Sequence, residues 1–464
     1  MNAQRCRFGS DETSGIVGRA KTRLLKELNR LGNVAPGEAR ALAWAFLYHF
    51  LLLCSYYMIR PIRDEMGVAG GVENLQWLFL GTFAAMMAIV PVFGWLTSRL
   101  PRKRFLPYAY LFFIANLLGF FALFRSGVSY AYVARAFFIW VSVFNLFVVS
   151  VFWSFMTDIF SDAQSKRLFG VVAAGGSAGA IAGPAIAAVL VQVIGVNWLL
   201  PMSAGSLALA LLCIRRLVAW ESTQQAHEGP TDLSHASRDE TPLGGSVWAG
   251  LHLVLKSPYL LGICGLILLY TTLSTFLYFQ QAQIVRDAFG EATDRTTVFA
   301  GMDLAVNALT LLFQVFLTGR IVQTFGLPWA LAVIPLFLVV GFGALAYAPV
   351  LAVFVVVQVL RRAGNYALMK PAREMLYVVL GREEKYKAKN FIDTAVYRSG
   401  DAVSAWVFAG MRGLGLTLAQ TALVAVPLAA AWGWVAYRLG KKHDQRVLSG
   451  GQANEPTRQS SFSP

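Results

Sequence analysis

Apolar residues along this chain gather into runs of about twenty, separated by short polar intervals rich in arginine and lysine. A helix needs about 20 mainly apolar residues to cross roughly 30 Å of hydrocarbon. Twelve stretches meet that length: 41–60, 76–98, 105–124, 136–157, 168–190 and 197–214, then 259–281, 298–319, 329–347, 350–369, 390–411 and 417–437. The pattern predicts an all-α integral membrane protein with twelve transmembrane helices in a 6+6 arrangement. The expected organisation is a basic N-terminal tail over 1–40, a six-helix half over 41–214, a central linker over 215–256, a second six-helix half over 257–438 and a disordered tail over 439–464. Within the centre, Glu221 to Ser246 mixes proline, serine, threonine, histidine and both charges, the composition of a flexible linker.

Composition removes the soluble alternatives. Of 464 residues 56% are hydrophobic and 14% charged, against roughly 25% charged in an ordinary soluble domain, so too few charges exist to cover the apolar surface. Four cysteines are present, and Cys54, Cys213 and Cys264 lie inside apolar runs, which excludes a disulfide scaffold. No Cys/His spacing suits zinc, and neither metal nor cofactor is expected. The net charge of +15 brackets the apolar runs instead of forming one solvated block, so the bilayer is the expected partner and nucleic acid is not.

Basic residues flank the even-to-odd joints on one side: Arg99, Arg102, Lys103 and Arg104, then Lys166 and Arg167, then Arg215 and Arg216, with Lys385, Lys387, Lys389, Arg438, Lys441 and Lys442 later. The positive-inside rule makes that side, and both termini, cytoplasmic. No apolar core follows the first basic residues, so the start does not read as a secretory signal, and a bacterial inner membrane is the expected location. Ile16, Ala20, Leu24, Leu28 and Leu31 share a helical face beside five bases. That segment reads either as a helix lying on the anionic leaflet or as a solvated tail.

After the second stretch comes Gly94-Trp-Leu-Thr-Ser98-Arg99-Leu-Pro101-Arg102-Lys103. In the fifth lies Gly175-Gly176-Ser-Ala-Gly179-Ala-Ile-Ala-Gly183-Pro184. The first resembles the loop signature of the major facilitator superfamily, with Ser98 for the usual Asp and Pro101 for the usual Gly; the second resembles the glycine-proline motif of many of its antiporters. The resemblance implies two six-helix repeats about an axis along the membrane normal. Physically, small residues every three or four positions let helix backbones approach closely, and Pro184 permits a bend. Gly94, Arg99, Gly179, Gly183 and Pro184 are therefore candidates for gating or for packing alone.

Charges inside apolar runs are expensive facing lipid and point to a partner or a wet cavity. At ~1.5 Å per residue, Arg361 and Arg362 fall near mid-membrane and Arg398 and Asp401 nearly as deep, three apart on one helix face. Guanidinium forks bind two oxygens at once and never deprotonate, so this cluster predicts a cavity for an anion. Arg398–Asp401 and Arg373–Glu374 also read as structural ion pairs. Arg60 and Arg63 sit at the end of the first stretch, where snorkelling to headgroups is the cheaper account unless the helix carries them inward past Pro61. His49 reads as a satisfied polar contact or a proton carrier. Gln280, Gln281, Gln283, Asn307 and Gln314 look cavity-facing, and Tyr270, Tyr278, Tyr366 and Tyr377 could stack on a flat ring.

The run Lys370-Pro-Ala-Arg373-Glu374-Met375-Leu-Tyr377, followed by Lys385, Lys387, Lys389, Ile392-Asp393 and Arg398-Ser-Gly400-Asp401, resembles the ATP/ADP translocase family of plastids and obligate intracellular bacteria. Arg63-Asp64 stands where that family has Lys-Asp. The departures are specific. Gly400-Asp401-Ala402 replaces Gly-Lys-Ser, so a cation becomes an anion. The family's acid in the fourth span has no counterpart between Phe137 and Met156, where Asn145 is the main polar side chain, and Tyr278 stands near its acid of the seventh span.

The resemblance implies a divergent nucleotide transporter: a secondary active transporter of an organic anion, with ATP/ADP and other phosphorylated metabolites as candidates, working by alternating access of the two halves. Arg361, Arg362 and Arg398 would hold the anion and Arg63 and Arg373 line the two ends of the path. Asp64, Glu374, Asp393 and Asp401 are the candidate coupling or ion-pair acids. A non-transporting receptor or partner-binding protein on the same fold is the rival. An enzyme is not expected, since no nucleophile–base pair, metal set or phosphate-cradling glycine loop is present and ATP would be cargo, not fuel.

Overall fold

A computed structural model describes residues 34–35, 37–99, 102–227, 247–381 and 388–452. Those residues are helical with short turns between, and no strand occurs among them. The first half comprises α1 (Ala39–Ala69), α2 (Leu75–Arg99), α3 (Arg102–Arg125), α4 (Tyr130–Ile159), α5 (Asp162–Ile194) and α6 (Leu199–His227). A short α7 (Val247–Lys256) leads into α8 (Pro258–Ala288) and α9 (Ala292–Phe313). A π-helical turn, Gln314–Thr318, joins α9 to α10 (Gly319–Tyr347). Next come α11 (Leu351–Gly364), the π turn Asn365–Met369 and α12 (Lys370–Met375). The π turn Ile392–Val396 opens α13 (Tyr397–Gly413), and α14 (Leu418–Gln452) ends the bundle.

Every one of the twelve expected stretches falls on helix, bar a residue at an edge. By length and apolarity, ten helices among the described residues can cross a membrane. Two physical facts separate ten from twelve. One helix, Ala292–Tyr347, runs 56 residues, about 84 Å at 1.5 Å per residue, far longer than one crossing. It breaks at Gly326, whose φ of 76° and ψ of 175° suit a residue without Cβ. The stretch 390–411 forms α13 behind a π turn, and Asp393, Arg398 and Asp401 make it too charged to count as apolar.

Local chemistry sets the helix ends. Ser161 and Gln164 form a reciprocal capping box at the start of α5, satisfying two otherwise orphaned donors. Ser257 caps α8 ahead of Pro258, where a missing N–H does no harm. The ends of α6 and α14 correct the expected organisation. Helix continues to His227, beyond the expected start of the linker, and to Gln452, well into the expected tail. The expected amphipathic segment 15–31 and residues 228–246 and 453–464 lie outside the described residues.

The first-half core packs around α1 and α4, with Tyr48, Phe137, Phe144, Phe152 and Phe155 fully buried; the second packs around α8, α10 and α14, with Phe276, Phe342 and Trp432. Contacts along α1 define two faces. At its start Glu38 binds Arg167 (2.9 Å) and Gly37 accepts from Trp220 (3.1 Å); this is the terminal face. At its other end the turns near residues 70, 130, 195 and 290 come together, as Arg135 donates to Gly70 (3.0 Å) and Gln192 to Thr297 (2.8 Å); this is the turn face.

Candidate functional site

The glycines of α5 settle where that helix sits. A Cβ on Gly175, Gly179 or Gly183 would meet backbone oxygens of Phe46, Phe50 and Cys54 at 2.5, 2.2 and 2.6 Å. One on Gly176 would meet the His49 ring at 2.3 Å. These small residues thus press α5 against α1 within one half, and α5 runs unbroken through Pro184. Gly94 and Arg99 lie on the last two turns of α2. His49 donates from Nδ1 to the Val172 carbonyl (2.9 Å) and stacks on Phe152 at 4.2 Å, the satisfied polar contact among the two expected readings.

With α5 held this way, α1 faces the second half across a central cavity. About 980 Å³ of space there is lined by α1 (Tyr56, Arg60, Arg63, Asp64), α4 (Ser142, Asn145), α8 (Tyr270, Ser274, Tyr278, Gln281), α11 (Gln358, Arg361, Arg362) and α13 (Arg398, Asp401). A second space of about 1660 Å³ shares Tyr56, Arg60, Asn145 and Tyr366 with the first and reaches His49, Trp153, Gln314 and Lys370. Those residues lie progressively nearer the terminal face, so the two spaces form one funnel widening that way.

The charges inside fall into four groups. Arg361 is 5% exposed and donates to Gln358 (3.0 Å) and Ser274 (3.0 Å), while Gln358 donates to Gln281 (2.8 Å). Its hydrogen bonds go to neutral oxygens. Arg362 binds Asp303 Oδ1 at 2.6 Å, and Arg60, from the other half, binds the same oxygen at 3.2 Å. Asp303 Oδ2 is buried and has no hydrogen-bond partner. Arg63 donates to Asp64 (3.0 Å) and Ser142 (3.0 Å) and lies 4.1 Å over the Phe138 ring; Tyr278 also donates to Asp64 (3.0 Å). Arg398 stands 3.6 Å from Asp401 and over Tyr397. Five guanidinium groups thus face three carboxylates, leaving two positive charges for something else to balance.

Several expectations change on this geometry. Arg60 does not snorkel: α1 continues nine residues past it, to Ala69, and its charge turns inward to Asp303. Arg373 and Glu374 do not pair with each other. Arg373 approaches Asp393 at 3.9 Å and Glu374 binds Lys389. These two pairs knit α12 to the start of the next helix, roughly 18 Å along the chain axis from Arg361, and neither lines the central cavity. Tyr377 is buried and its hydroxyl makes no hydrogen bond, whereas Tyr270, Tyr278 and Tyr366 do line the cavity. Gln280 turns away to Thr421 (3.4 Å). Asn307 faces the funnel and donates to the Ala180 carbonyl of the other half (2.7 Å).

Sequence reasoning assigned no role to Asp303, Glu65 or Arg295, which join the two halves. Glu65 is fully buried and accepts two bonds of 2.7 Å from Arg295 of α9. Around it Arg286 binds Glu73 (3.2 Å) and Gln192 donates to Asp294 (3.2 Å). These contacts close the funnel at the turn face. An acid in the middle of an apolar run was the available signal for Asp303; nothing in the sequence tied Glu65 to Arg295, 230 positions away.

Comparison with known proteins agrees with this architecture. Among curated proteins, the ADP,ATP carrier protein 1 of Chlamydia trachomatis is 23% identical over 88% of this chain and 83% of its own length, and that of Chlamydia muridarum is 23% identical over 70% and 67%. Among solved structures, the nucleoside transporter NupG superposes with a TM-score of 0.61 at 12% identity, covering 86% of this chain and 99% of its own. A bacterial homologue of the iron transporter ferroportin in its inward-facing state gives 0.60 at 14%, covering 85% and 98%. The sequence model of the Major Facilitator Superfamily matches residues 41–378. Helix order, a central cavity between two halves and that match lead to one conclusion: this multi-pass membrane protein belongs to the Major Facilitator Superfamily and is a transporter.

Proposed function

We propose that the protein moves an organic anion carrying phosphate groups, a nucleotide being the first candidate, by alternating access of its two halves. The carrying observation is Arg361: a buried guanidinium, aimed into a cavity between the halves, that hydrogen-bonds only to Ser274 and Gln358 among the described residues. Phosphate oxygens match its fork. Arg398 and Arg63, each already beside a carboxylate, complete the cradle, and Tyr270 and Tyr366 offer flat faces to an aromatic base. Similarity to the Chlamydia ADP,ATP carriers supports the nucleotide class.

The funnel is closed at the turn face and wide at the terminal face. With the terminal face on the cytoplasmic side of a bacterial inner membrane, as the positive-inside rule has it, this is the inward-open state. Rocking would separate Glu65 from Arg295 and bring α12 toward the first half, placing Arg373 and Lys370 at the inner mouth. Asp401 pairs with Arg398 in the empty cavity; released by substrate, it is the candidate proton acceptor.

Counter-exchange tests the reading. Proteoliposomes preloaded with ADP should take up labelled ATP, and the Arg361→Ala/Arg398→Ala variant should not. Absence of exchange with any nucleotide from folded protein overturns the nucleotide assignment. Proton coupling is tested separately: an imposed pH gradient should drive uptake by the native protein and leave Asp401→Asn indifferent. Equal uptake with and without the gradient removes Asp401 from that role.

A further inference from the structure

Beside the central cavity lies a narrow space of about 340 Å³ that shares Arg63, Phe79, Arg398 and Asp401 with it. The same space shares Phe83 with a third, apolar groove of about 750 Å³ on the flank of the bundle. That groove runs between α2 (Leu80, Phe83) and α13 (Val403, Trp406, Val407), one helix from each half. Val403 is 63% exposed and Val407 48%, and Trp77 packs on Trp406 at 4.8 Å to roof it at the turn-face end. In a bilayer this flank meets lipid tails. On the opposite flank, where α5 meets α9, Asn307 and Gln192 hydrogen-bond across the halves.

The path therefore changes character along its length: apolar and lipid-facing outside, narrow in the middle, cationic within. A rigid ring system does not suit the middle section, but a chain of methylenes does. We infer that this flank is a lateral port and that the arginine cavity also takes a single-chain anionic amphiphile, its phosphate on the guanidinium groups and its acyl chain lying out through the α2–α13 groove into the membrane. Along the groove the acyl chain keeps the apolar surroundings it has in the bilayer, and the phosphate meets the cavity's surplus positive charge. The inference rests on the anion-cavity reading above and extends its substrate class from soluble phosphates to acylated ones.

Equilibrium binding to the full chain in nanodiscs, corrected with empty discs, tests it with three probes: palmitoyl lysophosphatidate, the zwitterionic palmitoyl lysophosphatidylcholine and glycerol 3-phosphate. The native protein should bind lysophosphatidate at least tenfold more tightly than lysophosphatidylcholine. Val403→Trp, which plugs the groove, should weaken lysophosphatidate at least tenfold and leave glycerol 3-phosphate unchanged. Val407→Trp provides a second plug should the first not fold. Lysophosphatidate binding that neither plug alters overturns the port while the anion site stands, and lysophosphatidylcholine binding as tightly overturns the choice of an anionic amphiphile. Failure of both phosphates and of nucleotides to bind folded protein overturns the anion site and the port with it.

Discussion

Arg361 and Arg362 are neighbours on one turn of α11 yet keep different company: one rests on neutral oxygens, the other on a carboxylate shared with Arg60. Their removal should differ accordingly. If Arg361 holds the proposed anion, Arg361→Ala loses a charge-assisted contact of about 1.5–3 kcal/mol, so substrate affinity in an exchange assay should fall roughly 10- to 100-fold with little change in unfolding temperature. Asp303→Asn leaves the buried Arg362 and the half-buried Arg60 without their counter-charge. Breaking a buried pair in this way costs about 3–5 kcal/mol, so thermal unfolding should shift down markedly. Unchanged unfolding of Asp303→Asn would mean that water already serves those arginines. The depth of Arg361, Arg362, Arg398 and Asp401 was legible from the sequence because a charge inside an apolar run announces itself. The Arg398–Asp401 pair was legible too, being three apart on one helix, but the partners of Arg361 and Arg362 were not, since neighbours such as Ser274 and Gln358 carry no unusual signal of their own.

Helices were the most legible level. Hydropathy located them because the bilayer demands length and apolarity together. Ends facing polar surroundings were misplaced: α6 and α14 run on past their apolar parts because no residue stops them, and Arg, Lys and Gln are good helix formers. The α5 glycines Gly175, Gly176, Gly179 and Gly183 pack on α1 of the same half. Gly179→Ala should destabilise by about 1–3 kcal/mol, whereas Gly205→Ala, with nothing within 4 Å, should be neutral or gain up to ~1 kcal/mol; chemical unfolding of the two variants compares them directly. At the head of α1, burial of Glu38 favours its neutral form, but bonds from Arg167, the Ala35 N–H and Gln164 outweigh that and lower its pKa. A depressed carboxyl contributes stability that is present at neutral pH and lost as pH falls through the folded value. Unfolding temperature should therefore drop below about pH 4.5, and Glu38→Gln should flatten that part of the profile.

Across the whole molecule, the two halves touch at mid-depth and at the turn face through Asp303, Asp64–Tyr278, Glu65–Arg295 and Glu73–Arg286. Relations of this kind span more than 200 positions of sequence and connect helices whose own patterns are complete without them, so only the fold displays them. If the turn-face contacts hold the closed state, Arg295→Ala should raise the fraction open there. In a background without Cys6, Cys54, Cys213 and Cys264, an Asn145→Cys probe should react several-fold faster with an impermeant maleimide added from the turn face. Equal rates would assign the closure to the surrounding packing. The choice of ions for that seal has a consequence for speed. If the halves part as proposed, Glu65 and Arg295 exchange each other for water, and the hydration regained offsets much of the attraction lost. A seal of leucines over the same area would gain nothing from water on opening and would resist every cycle. A buried ion pair closes in one geometry and still lets go, which suits the rocking cycle proposed above.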